Sequence, residues 1–206
     1  MSGAFPISSA KFETLGIKSI QNTIISKSVS GKKLARQIDN QRFGFTIRIV
    51  TGTRSDVYGE LMAFIMKQRS GKENFTIIPP EIEDARGNES GTVLVNGVHA
   101  VGDTTIAVDG HANNNPNAFK AGDFIKFASH SKVYMIVADV QASSNASTLT
   151  IEPPLLTALA DDSAVTYDNV PFTVHLTNDI QEFGAVGTAK DGAFLYQFEF
   201  DVEETL

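Results

Sequence analysis

The chain has 206 residues, 42% of them hydrophobic, 20% charged and 9% aromatic, the composition of a folded protein rather than a disordered one. It has no Cys, which excludes disulfide scaffolds, thiolate catalysis, cysteine zinc sites and iron–sulfur clusters, and its net charge of −7 gives no overall basic footprint for wrapping nucleic acid. That charge is uneven: residues 1–79 carry 12 Lys+Arg against 5 Asp+Glu, net +7, and residues 80–206 carry 5 against 19, net −14.

No stretch approaches the ~18 apolar residues of a membrane span. The start MSGAFPISSAKFETL lacks the charged and apolar regions of a signal peptide, so folding in a cytoplasm without membrane insertion is expected. Ile17 to Ser28 has strand-like composition, and Ser30-Gly31-Lys32-Lys33 reads as a turn, which together predict a long hairpin. Phe43, Phe45, Ile47 and Ile49 then alternate with Arg42, Gly44, Thr46 and Arg48, the period of a strand with one buried face.

Thr53 or Ser55 is expected to cap a helix of three to four turns, with Asp56 placed three residues after Thr53 and Val57, Tyr58, Leu61, Met62, Ile65 and Met66 on its apolar stripe until Ser70-Gly71. Phe75 to Ile78 is a short strand stopped by Pro79-Pro80. From Glu81 to Asp168 the texture changes to short β-branched runs at 92–95, 104–108, 124–127, 132–140 and 147–151, separated by Gly, Asn and Asp clusters, which predict a small barrel or sandwich. Ser129-His130-Ser131 should close an antiparallel hairpin, and Asn113-Asn-Asn-Pro116-Asn is a polar loop. Strand texture returns at Pro171 to Leu176. The last strand alternates Phe194, Tyr196, Phe198, Phe200 and Val202 against Leu195, Gln197, Glu199, Asp201 and Glu203. Its natural partner is the sheet of residues 42–79, so the middle of the chain is expected to be an insertion into one discontinuous domain.

Motifs for chemistry are missing. His99, His111, His130 and His175 are far apart with no pair at helical ligand spacing; His130 reads as an exposed turn residue and His175 as the outward side of a strand. The acids Asp161-Asp162, Glu81, Glu83, Asp84 and Glu203-Glu204 read as solvated rather than as an acid–base pair. Asp109-Gly-His-Ala-Asn-Asn-Asn lacks the spacing and terminal Glu of a calcium loop. No phosphate loop or nucleophile elbow occurs. The aromatic stripe of the last strand and the helix stripe both read as core. A catalytic site, a cofactor and a metal are therefore not expected. The candidate functional residues are the basic cluster Lys27, Lys32, Lys33 and Arg36 with nearby Arg42, suited to an acidic neighbouring subunit or to passing DNA phosphates, or to a solvated face.

This order of elements resembles the tail-tube and distal-tail proteins of bacteriophages. The resemblance is carried by Phe43 to Val50, by the helix and its exit from Val57 to Pro79 with Arg69-Ser-Gly71 and Phe75, and by the closing strand Leu195 to Glu203. The run from Lys120 to Val137, followed by Thr148 to Leu156, is also similar to an inserted β-domain of phage virion proteins. The resemblance implies a mainly β (β-rich α+β) fold: a tube-type split β-barrel or sandwich with one packed helix, formed by residues 1–85 plus 169–206, interrupted by a small β-barrel or sandwich at 86–168. It further implies a non-enzymatic structural protein of the virion tail, made in the host cytoplasm. Its copies would form a hexameric or trimeric ring that joins the tail tube to baseplate or hub proteins around a DNA channel. A stacked tail-tube protein and a module binding host-surface carbohydrate are the alternatives.

Overall fold

The computed structural model describes residues 3–6, 11–38, 40–112 and 114–206; Asn113 of the expected polar loop lies outside the described residues. The chain divides into two compact units, one of Met1–Phe75 with Val174–Leu206 and one of Thr76–Thr173, here termed the split unit and the inserted unit. Both are built mainly from strands. Before the inserted unit the chain forms β1 (Phe12–Ile20), β2 (Thr23–Lys27), β3 (Lys33–Gln37), β4 (Arg42–Thr53), α1 (Gly59–Lys67) and β5 (Phe75–Ile77). The inserted unit holds β6 (Leu94–Val95), β7 (Thr105–Asp109), β8 (Phe124–Phe127), β9 (Val133–Ile136), β10 (Ser147–Glu152) and β11 (Val165–Thr166). The chain ends with β12 (Phe172–Leu176), β13 (Gly184–Thr188) and β14 (Phe194–Glu204).

In the split unit the strand order is β1-β4-β14-β12-β5, with β13 beside the start of β14. β4 is central because one of its faces is continuously apolar: Phe43, Phe45, Ile47 and Ile49 are all buried, each contributing roughly 2–3 kcal/mol of burial. Its partners come from far along the sequence, with Phe45 opposite Val202 and Ile47 opposite Phe200 on β14. The long hairpin expected from Ile17 onward is divided. β1 pairs with β4, and only β2 and β3 form a hairpin, as a separate two-stranded sheet with Lys27 opposite Lys33.

The expected Thr53 or Ser55 helix cap is corrected. The ladder with β14 holds β4 extended as far as Thr53, which pairs with Leu195; Thr53 Oγ1 meets Ser55 Oγ at 3.0 Å. A single π-type turn at Arg54–Tyr58 follows, and α1 begins only at Gly59, after Tyr58. Tyr58, Leu61 and Ile65 are buried, and the Tyr58 hydroxyl donates to the carbonyl oxygens of Ile49 and Val50 at 3.3 and 3.1 Å, tying helix to strand. Met66, expected on the same stripe, is 75% exposed, because it lies about 100° around the helix from Ile65. The helix stops where Arg69 and Ser70 turn left-handed (φ 53° and 60°).

β14 also departs from its expected stripe. Phe198, Phe200 and Val202 are buried, but Phe194 is 61% exposed and Tyr196 half-buried. The first residues of β14 run with β13, Thr188 opposite Phe194, where cover is partial: the Tyr196 ring meets that of Tyr58 at 6.0 Å while Phe194 stays exposed. Glu203 and Glu204, expected to be solvated, are not: Glu203 meets Arg42 at 2.7 Å, and buried Glu204 accepts a hydrogen bond from Phe43 N at 3.1 Å.

The inserted unit is a six-stranded sheet in the order β11-β8-β9-β10-β7-β6. It nearly closes into a barrel, because Leu94 bridges Ala164 while Val95 N donates to Ser163 O and Val165 N to Val93 O. Closure leaves the alternate side chains of each strand pointing to one interior. Ile106, Val108, Ile125, Phe127, Tyr134, Ile136, Leu149 and Ile151 fill it. The hairpin β8–β9 forms as expected, with Ile125 opposite Tyr134. Its turn residue His130, however, is buried rather than exposed. The ring packs against Phe127 and Tyr134, and Nδ1 lies 2.8 Å from the Tyr134 hydroxyl; burial pushes its pKa down.

Candidate assembly surface

Of the five basic residues singled out by sequence, four share the β2–β3 hairpin and one does not. Lys27 and Lys33 face each other across it, Lys32 lies in its turn, and Arg36 is opposite Ile24. All ten strand residues are exposed, Ile24 and Ile25 at 56% each and Leu34 at 53%. Directly opposed residues share a face, so Ile24, Arg36, Ser26 and Leu34 lie on one side and Ile25, Ala35, Lys27 and Lys33 on the other. Ser28 shapes the turn: its carbonyl accepts from Gly31 N at 2.9 Å and its hydroxyl from Lys32 N at 3.2 Å. Gly31 takes a φ of 79° there, a conformation that suits glycine.

Arg42 belongs to a different feature. On the sheet face opposite the core, charged side chains join the three neighbouring strands β1, β4 and β14. Arg42 pairs with Glu203, Lys18 with Asp201 at 2.5 Å, and Arg48 with Glu13 at 3.4 Å. Thr46 Oγ1 also donates to Asp201, and Arg48 to Gln197 Oε1. The Lys18 and Thr46 hydrogen bonds hold the Asp201 pKa below its usual value. These side chains are partly exposed, and such pairs contribute about 0–1 kcal/mol each.

The inserted unit contains a polar centre that the sequence reading did not find. Glu89 Oε1 accepts from the backbone N–H groups of Ser90, Gly91 and Ala112 at 3.0, 2.7 and 2.9 Å, and Oε2 lies 2.8 Å from His111 Nδ1 and 3.3 Å from Asn115 Nδ2. His111 Nε2 in turn meets Ser147 Oγ at 2.7 Å. The side chains of Glu89 and His111 have no solvent exposure. Burial alone would raise the Glu89 pKa, but these hydrogen bonds outweigh it and lower the pKa from 4.5 to about 2. Close backbone packing makes the centre possible: a Cβ at Gly91 would lie 2.3 Å from Gly110 O, and one at Gly110 2.1 Å from Thr92 O.

The order Ser147, His111, Glu89 is that of a nucleophile, base and orienting acid. Its surroundings give it a structural role. Glu89 is fully engaged in fixing the loop after β7, and the imidazole is shut from solvent, while Ser147 is half-buried. The only sequence trace was the Asp109-Gly-His-Ala run, read against a calcium loop. Among the described residues, no group of three or more His, Asp or Glu is placed to hold a metal ion. Asp161, another sequence candidate, accepts from Gly97 N at 2.6 Å.

Residues 82–170 match the family model of the distal tail protein pb9, B domain. This segment is similar to a phage distal tail domain. The match covers the nearly closed barrel, and it supports the resemblance to bacteriophage distal tail proteins and the reading of the chain as a structural component of a phage tail. A structural tail family points to a non-enzymatic role. No curated protein matches the chain. No helix among the described residues is long and apolar enough to cross a membrane.

Proposed function

We propose that this protein is a distal tail ring subunit that joins the tail tube to the baseplate or tip. The observation that carries the reading is the distal tail B-domain match within a chain whose split unit presents an exposed, basic and apolar hairpin. In this reading the split unit is the assembly domain and the inserted unit its appended domain. Copies associate into a closed ring, a hexamer in the leading form and a trimer in the other, around a channel through which DNA passes. Ring formation needs head-to-tail contacts between unlike surfaces of each copy, and the uneven charge of the chain supplies two signs for them.

Native mass spectrometry of the full-length protein tests the ring, and copy counting with antibody labelling of virions tests its place. One ring's worth of copies at the distal end of the tail is expected. Label along the whole tail would identify a stacked tube protein instead, and a purely monomeric protein absent from virions would overturn the proposal.

A further inference from the structure

The β2–β3 hairpin is an incomplete structure. A lone two-stranded sheet is marginal in water, and here both faces are exposed while Ile24, Ile25, Val29, Leu34 and Ile38 stand at 53–110% exposure. Between Gln21 and Ile38 there are four cations and no carboxylate, and Lys27 directly opposes Lys33, an arrangement of like charges that destabilises a strand pair. An apolar surface carrying an anion would satisfy both needs.

The split unit offers such a surface. Among the described residues β13 is an edge strand paired with β14 alone, and around it Ile180, Val186 and Phe194 are 85%, 57% and 61% exposed. Residues 178–194 contain Asp179, Glu182 and Asp191 against Lys190, net −2. Beside Phe194 the turn between β13 and β14 borders an open depression of about 400 Å³ that also includes Arg54 and Tyr196.

These two surfaces lie at opposite ends of one strand. Ile20, just before the hairpin, pairs with Arg42 at the start of β4, whereas Leu195, just after the β13–β14 turn, pairs with Thr53 at its end. The 12 residues of β4 separate them by about 35 Å at the usual rise per residue, too far to meet within one chain. We infer that the β2–β3 hairpin of one copy docks on the β13–β14 edge of a second copy. The Ile24–Leu34–Arg36 face lies on Val186 and Phe194, with Arg36 directed to Asp191. Because the surfaces differ and point to opposite ends, the contact is heterologous and repeats from copy to copy. This inference rests on the ring reading and specifies its interface.

The absence of Cys allows a clean test. Full-length Leu34→Cys and Val186→Cys single variants are mixed and treated with a bis-maleimide crosslinker, and the double variant is treated likewise. The mixture should give a dimer joining the two variants, and the double variant a ladder ending at the ring mass. Native mass is measured on the same samples. Rings without 34–186 crosslinks would overturn this interface and leave the ring standing; monomers alone would overturn both. In a second arm, Arg36→Glu should raise the concentration at which the ring dissociates by about tenfold, and adding Asp191→Lys should recover most of it. No recovery together with no crosslink would also reject the pairing.

Discussion

The two hairpins of this protein have nearly the same length and opposite circumstances. β8–β9, with four residues on each strand, buries three of every four side chains, two of them in the barrel core. β2–β3, with five on each, buries none. Composition favours burial of the first, with seven apolar residues of eight against four of ten, although both contain large apolar residues. The difference lies in what covers each pair. The barrel closes over Phe127 and Tyr134 within a short length of chain, whereas no described residue of this chain covers Ile24, Ile25 or Leu34. The exposed apolar residues of β2–β3 fit the proposed use of this strand pair as a surface for another molecule.

The sharpest way to break this comparison is to empty the buried hairpin. Phe127→Ala is expected to lower the stability of the inserted unit by about 3–5 kcal/mol, read as loss of hydrogen-exchange protection at the β8–β9 amides. Glu89→Gln should cost on the order of 2–3 kcal/mol, since Oε1 accepts three backbone donors that an amide could satisfy only in part. The same site predicts a pH dependence. The folded-state pKa is depressed, so its stabilisation is complete above about 4.5 and is lost as pH falls toward about 2. That shift corresponds to roughly 3 kcal/mol, and an acid urea series should show it in the native protein and not in Glu89→Gln.

Arg42→Ala removes the partner of half-buried Glu203 and should cost about 1 kcal/mol in urea unfolding of the split unit. The smallest stability effect should come from the exposed hairpin. Ile24→Ser with Leu34→Ser is expected to change monomer stability by less than about 0.5 kcal/mol, while the native mass shifts from ring to monomer. A large loss of monomer stability would mean that the hairpin is packed by its own chain, and the comparison would fail.

Much of the fold could be read from the sequence because its two longest strands have one buried face. In β4 and β14 the period-2 alternation survives folding at Phe43 to Ile49 and Phe198 to Val202. It misleads at Phe194 because alternation reports which residues share a face and not how far the covering layer extends. His130 was misread for a related reason: a turn position predicts exposure, but an aromatic turn residue gains by folding back on Phe127 and Tyr134. The Glu89 centre was illegible because its parts lie 22 and 36 residues from His111, and only barrel closure brings them together. The basic hairpin was legible as four residues, while Arg42, close in sequence, is claimed by Glu203 more than 150 residues later.

That last pairing affects the order in which the protein is made. β4 is made well before its main partner β14, and the inserted unit is delivered whole in between. The inserted barrel can therefore fold while the chain is still growing, and its compaction shortens the loop that must close before β4 and β14 can meet. The hairpin is made before the inserted unit, and the edge proposed to receive it only after that unit. A growing chain thus cannot present both halves of the proposed contact until β13 and β14 have been made.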